Sequence, residues 1–313
     1  MTRRRAGDAG RLDGPSLERE RDRRFRRLPA LKVRNERSAL AFVEDVGFCS
    51  TFYRFREGVP CLWEAVAGRR NPRWPRRSHH DAGIGVTWEL KDVLPAKKRV
   101  YYGKLLHGRP LLVALDVFPA FYALMRGAQR ARDYRHEYEA GRLSLTACRL
   151  MDALLGEHPQ YTRELRANVF MLEPSKTREF ERAMAELQQG LWVVKTEERY
   201  EPTFSYRWDL VESWLPEGVA AGRRLRRAVA IERLVERYAV TAVFTSEALL
   251  RRLFGLRAEE VRAAVTALAR RGALVLEVTV PTWPGRWIVH RRNQTPLTER
   301  SRTSSIVFHR CRR

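Results

Sequence analysis

The stretch that decides the fold is Ser144–Trp214, SLTACRLMDALLGEHPQYTRELRANVFMLEPSKTREFERAMAELQQGLWVVKTEERYEPTFSYRWDLVESW. Its first half places apolar residues at three- and four-residue spacing, which is typical of helices that bury one face. Ser144 is a good helix N-cap, and the prolines at 159 and 174 separate three helical segments. We predict helices from Ser144 to Pro159, from Tyr161 to Ala167 and from Pro174 to Gly190, the last with Phe180, Met184 and Leu187 on its buried face.

The second half of this stretch changes to the two-residue period of β-strands. We predict a strand over Leu191–Glu198, a turn at Glu201-Pro202, and a return strand in which Phe204, Tyr206, Trp208 and Leu210 alternate. Three helices followed by a β-hairpin indicate a winged-helix unit. In such a unit the third helix can lie in the major groove of DNA, while the hairpin contacts the neighbouring backbone.

The same order of elements recurs after Pro216. Apolar residues line a helix through Tyr238, Ser246 can cap a second helix, and Arg257–Arg271 has the period of a third. Alternation from Leu274 to Val280, a turn and a return to Val289 complete the repeat. The sequence therefore predicts a mainly α protein with small β wings, of the α+β class, with tandem winged helices over residues 142–216 and 217–291.

The flanking segments differ in composition. Residues 1–35 are rich in arginine and poor in apolar residues, so we expect a disordered basic leader. Residues 36–141 predict an α/β domain with a helix capped by Ser38, a strand-like segment at Phe48–Phe55, a short helix at Leu62–Val66, a basic helix at Ala96–Leu106 and a buried strand at Leu111–Leu115. Residues 292–313 form a basic tail.

The composition favours a nucleic-acid partner. The 313 residues hold 60 Lys and Arg against 37 Asp and Glu, a formal net charge of +23. Such an excess binds polyanions by releasing the counterions of phosphate backbones. The sequence contains no apolar run long enough to cross a membrane, so we expect a cytoplasmic, nucleoid-associated protein without a membrane partner. The four cysteines are scattered, and we expect neither a metal ion nor another cofactor.

Candidate DNA contacts follow from where the cations fall. On the third helices and the first hairpin they are Lys176, Arg178, Arg182, Lys195, Arg257 and Arg262. A Pro-rich loop adds Arg73, Arg76 and Arg77 around Trp74, which suits a backbone clamp with a stacking surface. Two alternatives stay open from the residues alone: a solvated helix face, because glutamates are interleaved with the cations, and a protein-docking module.

The densest titratable cluster is a candidate for chemistry. His80, Asp81, Glu89 and Asp92 are close in sequence and flank Trp88, a stacking partner for an extruded base. Dense titratable groups are typical of active sites, but a hydrogen-bonded loop has the same signature. Both interpretations therefore stay open for this cluster.

Several motifs, in their order along the chain, carry a family resemblance. They are the run Leu106–Asp116 (LHGRPLLVALD) leading into Pro119-Ala-Phe-Tyr-Ala, Tyr161-Thr-Arg-Glu-Leu-Arg, and Arg207-Trp-Asp-Leu followed by Pro216. Together they span about Leu40 to His290 and resemble the bacterial winged-helix DNA glycosylase superfamily of the AlkZ and YcaQ type, and within it the AlkZ-related proteins. The resemblance implies action on double-stranded, damaged DNA.

One departure from that superfamily bears on catalysis. Its glycosylases carry a Gln-apolar-Gln or Gln-apolar-Asp pair after a segment like Val46-Gly47-Phe48, where this chain has Cys49, Ser50 and Thr51. Glutamines there would orient water and the flipped nucleotide, so we expect DNA binding without efficient base release. The competing function is a winged-helix transcription regulator, which would need a dimerisation surface that the sequence does not offer.

Overall fold

The computed structural model describes residues 13–77, 80–281 and 283–293. This part of the chain is mostly helical, with small antiparallel sheets of three strands. The helices are α1 Gly14–Arg24, α2 Glu36–Val46, α3 Leu62–Ala67, α4 Ala82–Ala96, α5 Phe118–Met125, α6 Tyr134–Glu139, α7 Leu145–Gly156, α8 Thr162–Asn168, α9 Thr177–Gln189, α10 Val211–Trp214, α11 Pro216–Arg224, α12 Arg227–Ala242, α13 Glu247–Phe254 and α14 Ala258–Arg270. The strands are β1 Phe48–Ser50, β2 Val100–Lys104, β3 Pro110–Ala114, β4 Gln160–Tyr161, β5 Val193–Arg199, β6 Ser205–Leu210, β7 Phe244–Thr245, β8 Leu274–Val278 and β9 Trp287–His290.

The middle of the chain has the elements that its periodicity predicts. The Ser144 hydroxyl accepts a hydrogen bond from the Ala147 amide at 3.2 Å and caps α7. Phe180, Met184 and Leu187 are buried on one face of α9. Leu145, the first of the regularly spaced apolar residues of this stretch, is not buried but lies exposed on the first turn of α7. This middle unit, residues 145–210, builds a core of its own between its helices and β6.

Three segments share one topology. In each, a helix, a short strand, two further helices and a hairpin follow in order, and the last strand lies between the other two: β1-β3-β2, β4-β6-β5 and β7-β9-β8. We call residues 36–114 the first unit and residues 227–290 the third unit. The expected N-terminal α/β domain is therefore another copy of the repeated arrangement, which the sequence did not reveal.

The predicted basic helix at Ala96–Leu106 is wrong. Helix α4 ends at Ala96, and Val100–Lys104 forms strand β2, which pairs with β3 along its whole length. The aromatic and β-branched residues Val100, Tyr101 and Tyr102 suit a pleated surface better than a helix. The helix of this region lies earlier, where the Asp81 carboxylate accepts a hydrogen bond from the Ile84 amide at 2.9 Å and caps α4.

The predicted disordered leader is wrong for its described part. Residues 14–24 form α1, and Leu17 and Phe25 are buried. The Arg21 guanidinium donates to the carbonyls of Ala242 and Phe244 at 2.8 and 3.0 Å, so α1 is fastened to the third unit. The arginine-rich composition predicts disorder, but the two buried apolar residues Leu17 and Phe25 are enough to hold this helix against the rest of the protein. Residues 1–12 of the leader and 294–313 of the tail lie outside the described residues.

The largest core joins the first and third units. The Phe48 ring of β1 packs on Tyr238 of α12 and Phe254 of α13, with centroid distances of 6.4 and 6.1 Å. Helix α5 packs between α11 and α12 and extends this core. The first unit therefore lies between the other two. None of the helices in the described ranges is both long and apolar enough to cross a membrane.

Candidate functional site between the first and middle units

The first and middle units pack on each other reciprocally. Helix α4, the third helix of the first unit, packs on β5 of the middle unit, while α9, the third helix of the middle unit, packs on β2 of the first. The two pairs leave between them a cavity of about 490 Å³, which we call the inter-unit cavity. Its lining comprises Thr51, Phe52, Trp88, Lys91, Tyr102, Lys104, Pro110, Thr162, Arg166, Thr177, Phe180, Glu181, Met184, Gln188, Lys195, Glu198, Tyr206 and Trp208.

Aromatic side chains form much of this lining. Trp88 is 46% exposed at the surface of α4, and its ring lies 5.2 Å from that of Phe52. The hairpin of the middle unit supplies Tyr206 and Trp208, whose rings are 5.7 Å apart. Flat aromatic faces with one partly open side can hold a planar, polarizable group by stacking. The inter-unit cavity therefore suits a ring-containing ligand.

Buried charges line the cavity where α4 meets β5. Lys91 Nζ lies 2.9 Å from Glu198 Oε1, and both side chains are only 5% exposed. Lys195 contacts the same Glu198 carboxylate and lies 3.5 Å from Asp92 Oδ1. The Tyr200 hydroxyl lies within hydrogen-bond distance of both acids. One glutamate is thus shared by two lysines from different units, and the cluster ties the two units together.

A β-bulge brings Lys195 and Glu198 to the same side of β5. Successive side chains of a strand point to opposite faces, so residues 195 and 198 of a regular strand would diverge. The pairing of β5 with β6 shifts by one residue between Lys195 and Glu197, which restores both side chains to the cavity. The bulge therefore creates the charged cluster.

The environment of Lys195 favours its neutral amine. Burial lowers the pKa of Lys195 to about 7, with the neighbouring Lys91 acting in the same direction and Asp92 opposing. The rings of Tyr102 and Tyr206, whose centroids lie 4.6 and 5.1 Å from Nζ, favour the ammonium form instead. The net result is an amine that changes its charge near neutral pH.

The predicted titratable cluster does not converge as a whole. His80 and Glu89 are exposed, and the Asp81 carboxylate already accepts the hydrogen bond that caps α4. Only Asp92 joins the charged cluster of the cavity. Its partners Lys91 and Glu198 escaped sequence reasoning because they lie 107 residues apart. No group of three His, Cys, Asp or Glu side chains within residues 13–77, 80–281 and 283–293 could hold a metal ion.

The predicted DNA contacts fall into two classes. Lys195, predicted as a DNA contact on the hairpin, is buried and lines the inter-unit cavity. The others are exposed: Lys176, Arg178 and Arg182 on and before α9, Arg257 and Arg262 at α14, and Arg73, Trp74, Arg76 and Arg77 in the loop before α4. The rings of Phe52 and Trp63 pack against the ring of Trp74, with centroid distances of 5.7 and 5.1 Å, so one side of the Trp74 ring is covered.

The residues that replace the glutamine pair have distinct surroundings. Cys49 is fully buried in the core. The Ser50 hydroxyl donates a hydrogen bond to the carbonyl of Tyr53, lies 3.2 Å from the carbonyl of Pro60, and so shapes the turn after β1. Thr51 alone lines the inter-unit cavity. This position is therefore part of the cavity wall, with a short hydroxyl where a glutamine would reach further.

A larger groove offers a weaker candidate. It measures about 1010 Å³ and lies on the outer side of the middle unit, between α7 and the loop before α9. Its charged side chains are solvated: Arg149, Asp152, Lys176 and Glu179 are all exposed. Buried ionisable groups are more typical of functional sites than solvated ones, so we favour the inter-unit cavity.

The sharing of Glu198 by two lysines predicts that variants of the cluster lose different amounts of stability. Glu198→Gln leaves Asp92 as the only carboxylate of the cluster for two buried lysines, so the free energy of unfolding should fall by about 3 kcal/mol. Lys91→Met should cost less, because Lys195 remains to pair with Glu198. Urea unfolding of both variants at pH 6, where Lys195 is mostly charged, measures the difference. Equal midpoints for the two variants would contradict the shared arrangement.

A comparison with protein families identifies the family of this chain. Residues 33–255 match the model of a family described as AlkZ related. The match covers more than half of the 313 residues and includes the whole of the first and middle units. The search of curated proteins finds no match, and neither does the search of solved structures. The extent of the family match confirms the resemblance carried by the sequence motifs, and the chain belongs to the AlkZ-related family.

Proposed function

We propose that the protein binds duplex DNA in repair and accepts an extruded nucleotide in the inter-unit cavity. The observation that carries this proposal is the cavity itself, which combines aromatic walls with buried cations between two units of identical topology. The family supports a glycosylase-related, DNA-repair-like role. A protein with this role would lie with the nucleoid.

We interpret each of the three repeated units as a winged helix. The order helix, strand, helix, helix and hairpin, with the return strand in the centre of the sheet, agrees with that arrangement. Winged helices contact DNA through the third helix and the hairpin. In this chain α4 and α9 are turned toward each other, so their facing sides line the cavity instead of an open surface. This arrangement favours capture of a single nucleotide over reading of a base sequence.

The contents of the cavity fit a nucleotide. About 490 Å³ is within the range of roughly 300–1,000 Å³ that is usual for small-molecule sites. The faces of Trp88, Tyr102 and Tyr206 can stack on a base, which is tolerant of base identity. Lys104 and Arg166 also line the cavity and can neutralise a flanking phosphate.

Exposed cations of the middle unit can hold the duplex. Arg178 and Arg182 lie in the N-terminal half of α9, and Lys176 lies just before this helix. None of these three forms an ion pair with another residue in the described ranges, so they are available to phosphates. The loop with Arg73, Arg76 and Arg77 precedes α4 and can add further contacts.

We propose that base release is inefficient. A glycosylase must position water beside the sugar, and the glutamine pair that would do so is replaced by Cys49, Ser50 and Thr51. Of these, only Thr51 lines the cavity. The proposed activity is therefore recognition of a damaged or unpaired nucleotide.

Charge reversal tests the duplex contact. Arg178→Glu with Arg182→Glu should weaken binding at least about tenfold, because two phosphate contacts are lost. For the same reason the logarithm of the association constant should fall less steeply with the logarithm of the salt concentration, by about two in slope. The matched control is Arg132→Glu with Arg233→Glu, two exposed arginines outside the third helices that give the same change in net charge. Fluorescence anisotropy over a salt series measures both. Equal losses in the two double variants would mean that only net charge matters.

Removal of an aromatic wall tests the nucleotide pocket. The protein should bind a duplex with one unpaired nucleotide more tightly than the fully paired duplex. Trp88→Ala should reduce that preference roughly five- to 150-fold, because stacking on one base is worth about 1–3 kcal/mol. Tyr138→Ala removes an exposed aromatic that does not line the cavity and should leave the preference unchanged. An unaltered preference in Trp88→Ala would exclude stacking of the nucleotide on Trp88.

A further inference from the structure

We propose that Lys195 is the nucleophile of an abasic-site lyase in the inter-unit cavity. Its ε-amine would form an imine with C1′ of an abasic deoxyribose and so lead to cleavage of the DNA strand on the 3′ side. This activity rests on the proposed binding of DNA at the cavity. It does not depend on base excision, because its substrate has already lost the base.

The position of Lys195 carries the proposal. Nζ belongs to a side chain that is only 8% exposed, yet the residue lines a cavity large enough for a sugar. The bulge in β5 directs it inward beside Glu198, while Asp92 approaches from α4 at 3.5 Å. A lysine that served only to bind phosphate would be expected on the exposed surface, as Lys176 is. The amine and the two carboxylates are thus brought together at the cavity by β5 and α4.

The protonation of Lys195 agrees with this role. Only a neutral amine attacks a carbonyl, and burial, assisted by Lys91, holds the pKa of Lys195 near 7. The groups that face it are Lys91 and Asp92 from α4, Tyr102 from β2, Glu198 and Tyr206 from the hairpin, and Tyr200 at the tip. A second cation beside a desolvated lysine is a known means of activating that amine.

The chemistry balances without a cofactor. The neutral amine adds to the aldehyde C1′ of the ring-opened sugar, and the hydroxyl leaves as water with a proton from Lys91, giving an iminium ion. Asp92 removes a proton from C2′, the electron pair moves toward the iminium nitrogen, and the C3′–O bond breaks with release of a 5′-phosphate end. Water then hydrolyses the imine, which frees Lys195 and an unsaturated aldehyde on the other strand end.

Reductive trapping tests this assignment on the full chain. The probe is a duplex with one abasic site, incubated with sodium cyanoborohydride, which reduces the imine to a stable amine link between protein and DNA. The wild-type protein should give a covalent complex, and peptide mapping should place the link at Lys195. Lys195→Arg keeps the positive charge but should lower trapping at least about tenfold, since a guanidinium is not a nucleophile at neutral pH.

Two matched measurements separate a catalytic lysine from a merely structural or accidental one. Lys97→Arg changes an exposed lysine outside the cavity lining and should trap like the wild type. The wild-type trapping rate should rise as the pH passes through about 7 and then level off, because deprotonation of Lys195 is complete. A surface lysine, with a usual pKa of about 10.4, would continue to gain rate up to pH 10.

Each outcome decides between the two proposals. Trapping that persists in Lys195→Arg, or that maps to another amine, overturns the lyase assignment. Binding of the abasic duplex without trapping also overturns it and leaves the proposed function intact. Failure to bind DNA at all overturns both. Lys195→Arg that still binds the duplex but no longer traps supports both.

Discussion

The sharing of Glu198 between Lys91 and Lys195 is the interaction on which the site depends. It joins α4 of the first unit to β5 of the middle unit, next to Val194 of β5, which packs in the same core as the first unit. Buried charges are costly to desolvate and are tolerated only where each has a partner, so this cluster fixes how the units meet. The inter-unit cavity exists because the two hairpins and two third helices are held in that reciprocal arrangement.

Local pattern predicted most of the helices and few of the contacts. The periodicity of α9, α12 and α14 is strong enough to predict their buried faces, and Ser144 and Ser246 cap their helices as predicted. The sequence predicts a helix where strand β2 forms, because the lysines before it obscure a short aromatic segment that is recognisable as a strand only beside β3. The sequence does not reveal the repeat in the first unit for the same reason, since its hairpin is not recognisable without β2.

The candidate site was the least predictable part. Asp92 was named from local density, whereas Glu198 and the inward position of Lys195 depend on a bulge and on a contact between residues 107 positions apart. Neither the bulge nor this long-range contact produces a periodic pattern in the sequence. The absence of the glutamine pair was visible in the sequence, but only the fold shows that Thr51 lines the cavity while Ser50 is used by its own turn. The cavity thus lacks the glutamine pair that the family resemblance implies for base excision. It contains instead the amine of Lys195 and the carboxylates of Asp92 and Glu198.

The most direct test of the account is a crystal structure of the full chain bound to a duplex with a single unpaired nucleotide. The account predicts that this nucleotide leaves the helix and enters the inter-unit cavity, with its base against Trp88 or Tyr206 and its sugar near Lys195, while the flanking phosphates approach Arg178 and Arg182. A complex in which every base stays stacked and the DNA contacts only α14 and the outer loops would contradict it.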